Sequence, residues 1–492
     1  MKMSATVELV FIPSPGMGHL VSTVEMAKQL VGRDDRLSIT VLIMKRPFDK
    51  SKVSSSTQSL LLTAAEDRLK FVYLPLDEAA AAELRSKFPD SFMLEFIKMN
   101  KQHVRDHVRQ MVSTGSTRIA GFVIDMFCTP MMDVAVELGV PSYAFFTSNA
   151  TALGLVFHVE SLSPDEYHDL TELKDSDAEL ELPGFVNPVP IKVLPASLRD
   201  KEFWSRFMSN IAKRLRQTKG IMVNTFEELE SNAVRFLAEN DNVPPVYPVG
   251  PVIHLVNNKN EEDEEATEIV KWLDNQPLSS VVFLCFGSMG SFGGNQLKEI
   301  ARALERSGHR FLWSVRRPPS KVKGEIPGEY QDLNQVLPEG FLERTKKIGK
   351  VIGWAPQVAI LSHKAVGGFV SHCGWNSTLE SLWYGVPVAT WPMHAEQQTN
   401  AFQLVRELRL AVDIKLDYKK DIYMSDSSNV MLVTAEEIEN GIRKLMESEN
   451  ECGEERKKRV KEMSEKSKVS VVEGGSSYNS IGLLIEDFMK TT

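Results

Sequence analysis

Strand-length runs that are apolar almost throughout alternate with helix-period stretches along the first half of the chain. The runs are VELVFIP (7–13), LSITVLIM (37–44), LKFVYLP (69–75) and IAGFVID (119–125), and LVSTVEMAKQLV (20–31) repeats apolar positions at helical spacing. Strands that are apolar on both sides cannot face water on either, so the pattern predicts a parallel sheet covered by helices on both faces. The theme restarts in the second half with SSVVFLCF (279–286), a glycine-rich turn and the amphipathic NQLKEIARALERSG (295–308). RFLWSV, KVIGW, GGFVSHCG, PVATWP and AVDIKL follow as further strands. Both halves thus open on strand, glycine turn, helix, and no shorter repeat runs through them.

At 492 residues the chain exceeds what one hydrophobic core normally holds, roughly 250 to 300 residues. A change of texture supplies the boundary: YPVGPV passes into the acidic run NNKNEEDEEATE, the composition of a solvated linker. The expected division is a first domain over 1–250, a linker over 251–268, a second domain over 269–473 and a closing helix over 474–492 after the Gly474-Gly475 break, one that could pack on either domain and is placed back on the first. The proline-rich stretch 161–198 reads as an ordered loop over a surface.

Composition narrows the partners. A formal net charge of −9 gives no footprint for nucleic acid or an anionic membrane. Four cysteines, Cys128, Cys285, Cys373 and Cys452, are too few for a disulfide framework and read as free thiols in a reducing compartment. The apolar run at 7–13 is too short to span a bilayer and lacks the flanks of a secretory signal, so the expected location is the cytosol, with no stable membrane insertion. The sequons at Asn149 and Asn376 then carry no weight.

The densest chemistry lies in 354–397, WAPQVAILSHKAVGGFVSHCGWNSTLESLWYGVPVATWPMHAEQ. GGFVSHCG reads as a buried strand ending in a turn of small residues, and NSTLESLWYG as a helix closed by Gly385. That places a helix N-terminus, with about half a positive charge, at the carboxyl edge of a sheet, where a phosphate binds well. Ser377 and Glu380, at i and i+3, fit a helix-capping box equally well. His372, Gly374, Trp375 and Asn376 crowd the same turn, which favours a ligand.

This 44-residue segment, from Trp354 to Gln397, resembles the signature box of the plant secondary-product (family 1) UDP-dependent glycosyltransferases, and the N-terminal PGMGH and mid-chain CFGS extend the resemblance over the whole chain. It implies an α/β fold of GT-B type, two Rossmann-like domains facing across a cleft, with a UDP-sugar donor on the second. Carried over by position, Trp354 stacks on uracil, Ala355 meets its edge, and Gln357 and Glu380 hold the ribose. His372, Asn376, Ser377 and Ser288 contact the diphosphate, where Gly374 admits the close approach. Trp375, Glu396 and Gln397 face the sugar, and the closing glutamine resembles the glucose-preferring members, so UDP-glucose is the expected donor.

The turn PSPGMGH (13–19) has Gly16 and Gly18 but no third glycine, so it is set aside as a dinucleotide fingerprint. His19 opens the following helix and Asp125 closes an apolar strand; on the residues alone each is either a helix cap or a catalytic group. The resemblance places His19 at the general base and Asp125 at its carboxylate partner. The implied reaction is inverting transfer to a hydroxyl of a small lipophilic acceptor (flavonoid, phenylpropanoid or terpenoid), giving a β-glucoside without metal or other cofactor. Met126, Phe127, Phe145, Phe146, Phe92, Phe96 and Met99 are candidate acceptor walls, each as readily core. His103 and His107 have i, i+4 spacing but no third ligand, and read as a solvated helix face rather than a zinc site.

Overall fold

The computed structural model describes residues 6–47, 60–61, 64, 67–89, 91–113, 118–173, 176–195, 203–255, 264–319, 327–418, 431–447 and 451–490. The chain divides into two compact units. The first comprises 1–163, 201–254 and 469–492; the second comprises 164–200 and 255–468. Residues 164–200, expected in the first domain, therefore group with the second unit. The acidic stretch 256–263 lies outside the described residues.

The first five strands are β1 (Val7–Ile12), β2 (Leu37–Ile43), β3 (Leu69–Tyr73), β4 (Arg118–Asp125) and β5 (Ser142–Phe146). A short antiparallel pair, β6 (Glu179–Leu180) and β7 (Val189–Pro190), belongs to the second unit. Then β8 (Gly220–Val223) and β9 (Val246–Pro248) return to the first sheet, whose order is β3-β2-β1-β4-β5-β8-β9 with every pairing parallel. The sequence β9, read above as the start of the linker texture, is thus an edge strand. Every residue of β1 and β5 is buried, as two covered faces require.

The second sheet contains β10 (Val281–Cys285), β11 (Arg310–Ser314), β12 (Gly349–Ile352), β13 (Val366–Ser371), β14 (Val388–Thr390) and β15 (Ala411–Asp413). Its order is β12-β11-β10-β13-β14-β15, again parallel throughout. The helix Gly294–Ser307 buries Leu297, Ile300, Ala301 and Leu304, one face at helical spacing, and stops at Gly308, whose φ of 67° suits a residue without a Cβ. Both sheets are doubly wound, so the fold is α/β with two Rossmann-like domains, of GT-B type.

The last helix, Ser476–Lys490, buries Ile481, Leu484, Ile485 and Phe488 in the core of the first unit. The Phe488 ring meets Tyr143 edge-on with centroids 4.6 Å apart, and the Tyr143 hydroxyl donates to Asp487 at 2.9 Å. Full burial of one such aromatic side chain contributes about 2 kcal/mol. Among the described residues no helix is long and apolar enough to cross a membrane. All four cysteines are free, and three of them are buried.

Candidate active site

In a parallel sheet the loops at the carboxyl ends of neighbouring strands share one edge, and each unit places its polar cluster there. In the first unit β1 lies between β2 and β4, and β5 lies beside β4. Ile12 pairs with Ile124 and Asp125 with Phe145, so three adjacent strand ends deliver His19, Asp125 and Thr147 to one place. His19 is the third residue of the helix Met17–Arg33, whose N-cap is Gly16 with no capping side chain. It is therefore no cap, and neither is Asp125.

The Nδ1 atom of His19 lies 2.7 Å from Oδ2 of Asp125 and 2.9 Å from the Thr147 hydroxyl. Asp125 Oδ1 accepts the Phe127 N–H at 3.0 Å. The aspartate side chain is wholly buried while the imidazole is 28% exposed. A buried carboxylate at Nδ1 holds a proton on that nitrogen and makes Nε2 the basic one. Thr147 went unnoticed in the sequence; the signal was there, a polar TSN run directly after the apolar SYAFF.

Of the candidate acceptor walls, Phe145, Phe146, Met126, Phe92 and Phe96 are packed in the cores. Phe127 is half-buried with its ring 5.4 Å from that of His19 and stacked on Phe207 at 6.0 Å. Asn149 is buried and accepts the Ala152 N–H as the cap of the helix Ala150–Ser161.

In the second unit β13 runs into His372, Cys373 and Gly374, and the helix Trp375–Tyr384 follows at once. Its N-cap is Gly374 and no side chain caps it, so Ser377 and Glu380 form no capping box. They serve a different partner: Gln357 Nε2 donates to Ser377 Oγ at 2.8 Å and to Glu380 Oε2 at 2.6 Å. The first N–H groups of this helix have no acceptor within it, the arrangement that suits an anion.

His372 stands at the centre of this edge. A Cβ at Gly287 or at Gly374 would lie 2.6 Å or 2.5 Å from its Nε2, so two glycines let the turns after β10 and β13 close on the ring. Burial presses its pKa down to about 3, with His394 adding to the effect. The imidazole is therefore neutral at ordinary pH, and its buried Nδ1 has no hydrogen-bond partner among the described residues. Ser288 sits exposed on the neighbouring turn. Trp354 and Ala355 follow β12 half-buried, and Gln357 begins the short helix after them.

The end of the signature segment is tied to the same turn. Asn400 Nδ2 donates to the Cys373 carbonyl at 3.0 Å, and the Trp391 N–H to the Ser371 carbonyl at 2.8 Å. Gln397 is buried, and its Oε1 accepts the N–H groups of Met393 and His394 at 2.9 and 3.1 Å. Its amide nitrogen, 3.3 Å from His394 Nε2, is the end with donors. Glu396 is half-buried, Asn376 likewise, and the Trp375 ring is buried.

Residues 185–422 match the family described as UDP-glucoronosyl and UDP-glucosyl transferase. The chain is 55% identical to UDP-glycosyltransferase 71A15 of Malus domestica over 98% of this chain and all of that protein. It is 53% identical to UDP-glucose flavonoid 3-O-glucosyltransferase 6 of Fragaria ananassa, over 98% and 99% respectively. Among solved structures, a UGT transferase from Siraitia grosvenorii in complex with UDP matches with a TM-score of 0.85 at 48% identity, covering 98% of this chain and 100% of that one. Medicago truncatula UGT71G1, complexed with UDP-glucose, matches with a TM-score of 0.83 at 40% identity, covering 99% of each. With identity at this level along the whole of its length, the chain belongs to the plant family 1 UDP-glycosyltransferases.

Proposed function

We propose that this enzyme transfers glucose from UDP-glucose to a hydroxyl of a small lipophilic acceptor (a flavonoid, phenylpropanoid or terpenoid) with inversion, giving a β-glucoside. The observation that carries the chemistry is the His19–Asp125 pair, in which a wholly buried carboxylate orients a partly exposed imidazole at 2.7 Å. His19 Nε2 takes the proton of the acceptor hydroxyl as its oxygen attacks the anomeric carbon. Asp125 stabilises the imidazolium that forms, and the step contributes about 10² to 10⁴ in rate.

As the new C–O bond forms, the bond from the anomeric carbon to the β-phosphate oxygen breaks and its electron pair leaves with UDP. We assign the charge of that leaving group to the start of the helix Trp375–Tyr384, to neutral His372 and to Ser288, Asn376 and Ser377, with no metal required. Trp354 and Ala355 would hold uracil, Gln357 and Glu380 the ribose, and Glu396 and Gln397 the sugar. The relative named as a flavonoid 3-O-glucosyltransferase and the neighbour bound to UDP-glucose support the choice of donor and acceptor class. Four free cysteines suit a reducing cytosol.

The test is an acceptor screen with UDP-glucose, with products identified by mass spectrometry and the anomeric configuration by proton NMR. β-Glucosides of lipophilic alcohols or phenols are expected. An α-linked product, or a wild-type preference for UDP-glucuronate, would overturn the reading.

A further inference from the structure

Trp354 has two faces, and one of them is covered from within the protein. The guanidinium carbon of Arg316 lies 5.0 Å from the centre of its indole ring. Arg316 stands two residues beyond β11 and Trp354 two beyond β12, and these strands are parallel neighbours with Ser314 opposite Ile352. The two side chains therefore leave the sheet at the same edge and at the same height.

Arg316 is only 8% exposed, and its own orientation is fixed. Its Nε donates to the Gly328 carbonyl at 3.1 Å and its Nη2 to the Pro327 carbonyl. The segment that carries them is held in turn at Gly328, because Arg317 and Gly328 exchange two backbone hydrogen bonds of 2.9 Å. On the other side the Ser314 hydroxyl donates to the Gly353 carbonyl at 2.7 Å, steadying the backbone from which Trp354 projects. A planar cation anchored at its edge and lying over the face of an indole leaves that ring little freedom to tilt.

We infer that Arg316 is a positioning residue for the nucleotide base: it backs Trp354 on one face so that the other is presented, already ordered, to uracil. This rests on the reading of Trp354 as the uracil platform. An aromatic side chain locked before binding has no rotamer freedom to lose when the base arrives. Arg316 touches neither the phosphates nor the reacting atoms in this scheme, so its effect belongs to the base end of the donor alone.

The experiment is calorimetric titration of UDP, UMP and uridine into the wild type, Arg316→Met, Arg316→Gln, Trp354→Ala and the Arg316→Met/Trp354→Ala double variant, with melting curves recorded for each. Arg316→Met should weaken all three ligands by one common factor, about 5- to 20-fold. Arg316→Gln keeps a donor for the carbonyls but not the cation, and should match it with a smaller loss of stability. KM for UDP-glucose should rise by the same factor with kcat within about twofold. In the Trp354→Ala background the arginine substitution should add nothing. If Trp354→Ala binds UDP as the wild type does, the platform reading falls and this inference with it. If Trp354→Ala is weakened but the arginine effect is absent, additive, or grows with the number of phosphates, the inference alone is overturned.

Discussion

His19 and Asp125 are 106 residues apart in sequence and 2.7 Å apart through Nδ1 and Oδ2. The parallel register of β1 on β4 creates that distance, since Ile12 pairs with Ile124 and the chain turns from each strand end toward the same edge. Substituting His19 by Ala should lower turnover by at least about 10²-fold and leave UDP affinity near that of the wild type. Asp125→Asn should also lower turnover, because an amide oxygen or nitrogen at Nδ1 no longer fixes the tautomer. Steady-state kinetics paired with UDP titration checks both; near-normal turnover of His19→Ala would remove the base assignment.

His372 gives a signed prediction in pH. Its folded pKa, pressed to about 3 by burial, lies below the ordinary value of 6.5, so the unfolded chain binds the extra proton first as pH falls. The stabilisation is therefore complete above pH 6.5 and is lost progressively between 6.5 and 3, with a slope approaching about 1.4 kcal/mol per pH unit. The variant His372→Gln should show a shallower loss over the same window in denaturant unfolding. Equal slopes in the two proteins would mean that this imidazole is not held neutral by the fold.

Gln397 has both a scaffold role and a proposed ligand role, and its two ends separate them. Gln397→Ala would strand the N–H groups of Met393 and His394, a loss of about 1 to 3 kcal/mol in stability. Gln397→Glu keeps the acceptor for both and replaces only the donor end. It should retain most of the melting temperature while weakening UDP-glucose more than UDP in parallel titrations. Equal weakening of the two ligands would assign the residue to the scaffold alone.

Glu230 caps a helix to which it does not belong. Its buried carboxylate accepts the N–H groups of Ala150 and Thr151 at 2.9 and 3.0 Å and the Thr151 hydroxyl at 2.6 Å. Replacement by Ala leaves those donors unpaired near the start of the helix that follows Thr147, and should cost about 3 kcal/mol in the stability of the first unit. Differential scanning calorimetry reads this as a lowered melting temperature, and an unchanged one would show that water takes over the carboxylate's place.

Chelation supplies the last test. Activity with UDP-glucose should survive excess EDTA, since a helix start, a neutral imidazole and hydroxyl groups are proposed to hold the leaving diphosphate. Complete loss restored by a divalent ion would overturn that proposal.

What the sequence determined by itself was local and periodic. Unbroken apolar runs specified most strands of both parallel sheets, because a strand covered on two faces has no polar side to show, and the segment 354–397 specified the family. Three of them escaped, Ser142–Phe146, Gly220–Val223 and Val246–Pro248, and their parallel pairing with β4, β5 and β8 is what makes them strands. The grouping of 164–200 with the second unit was equally invisible, since Glu407 receives the N–H groups of Val186 and Asn187 from more than 200 residues away. Ser377 and Glu380 had the spacing of a capping box, yet the helix began at Trp375 and Gln357 took both side chains. Tertiary structure decided these matters because hydrogen-bond partners and stacking partners are chosen by strand order and register. A one-dimensional pattern records which face a residue turns inward, and not which residue from a distant strand it meets there, as Thr147 meets His19 and Arg316 meets Trp354.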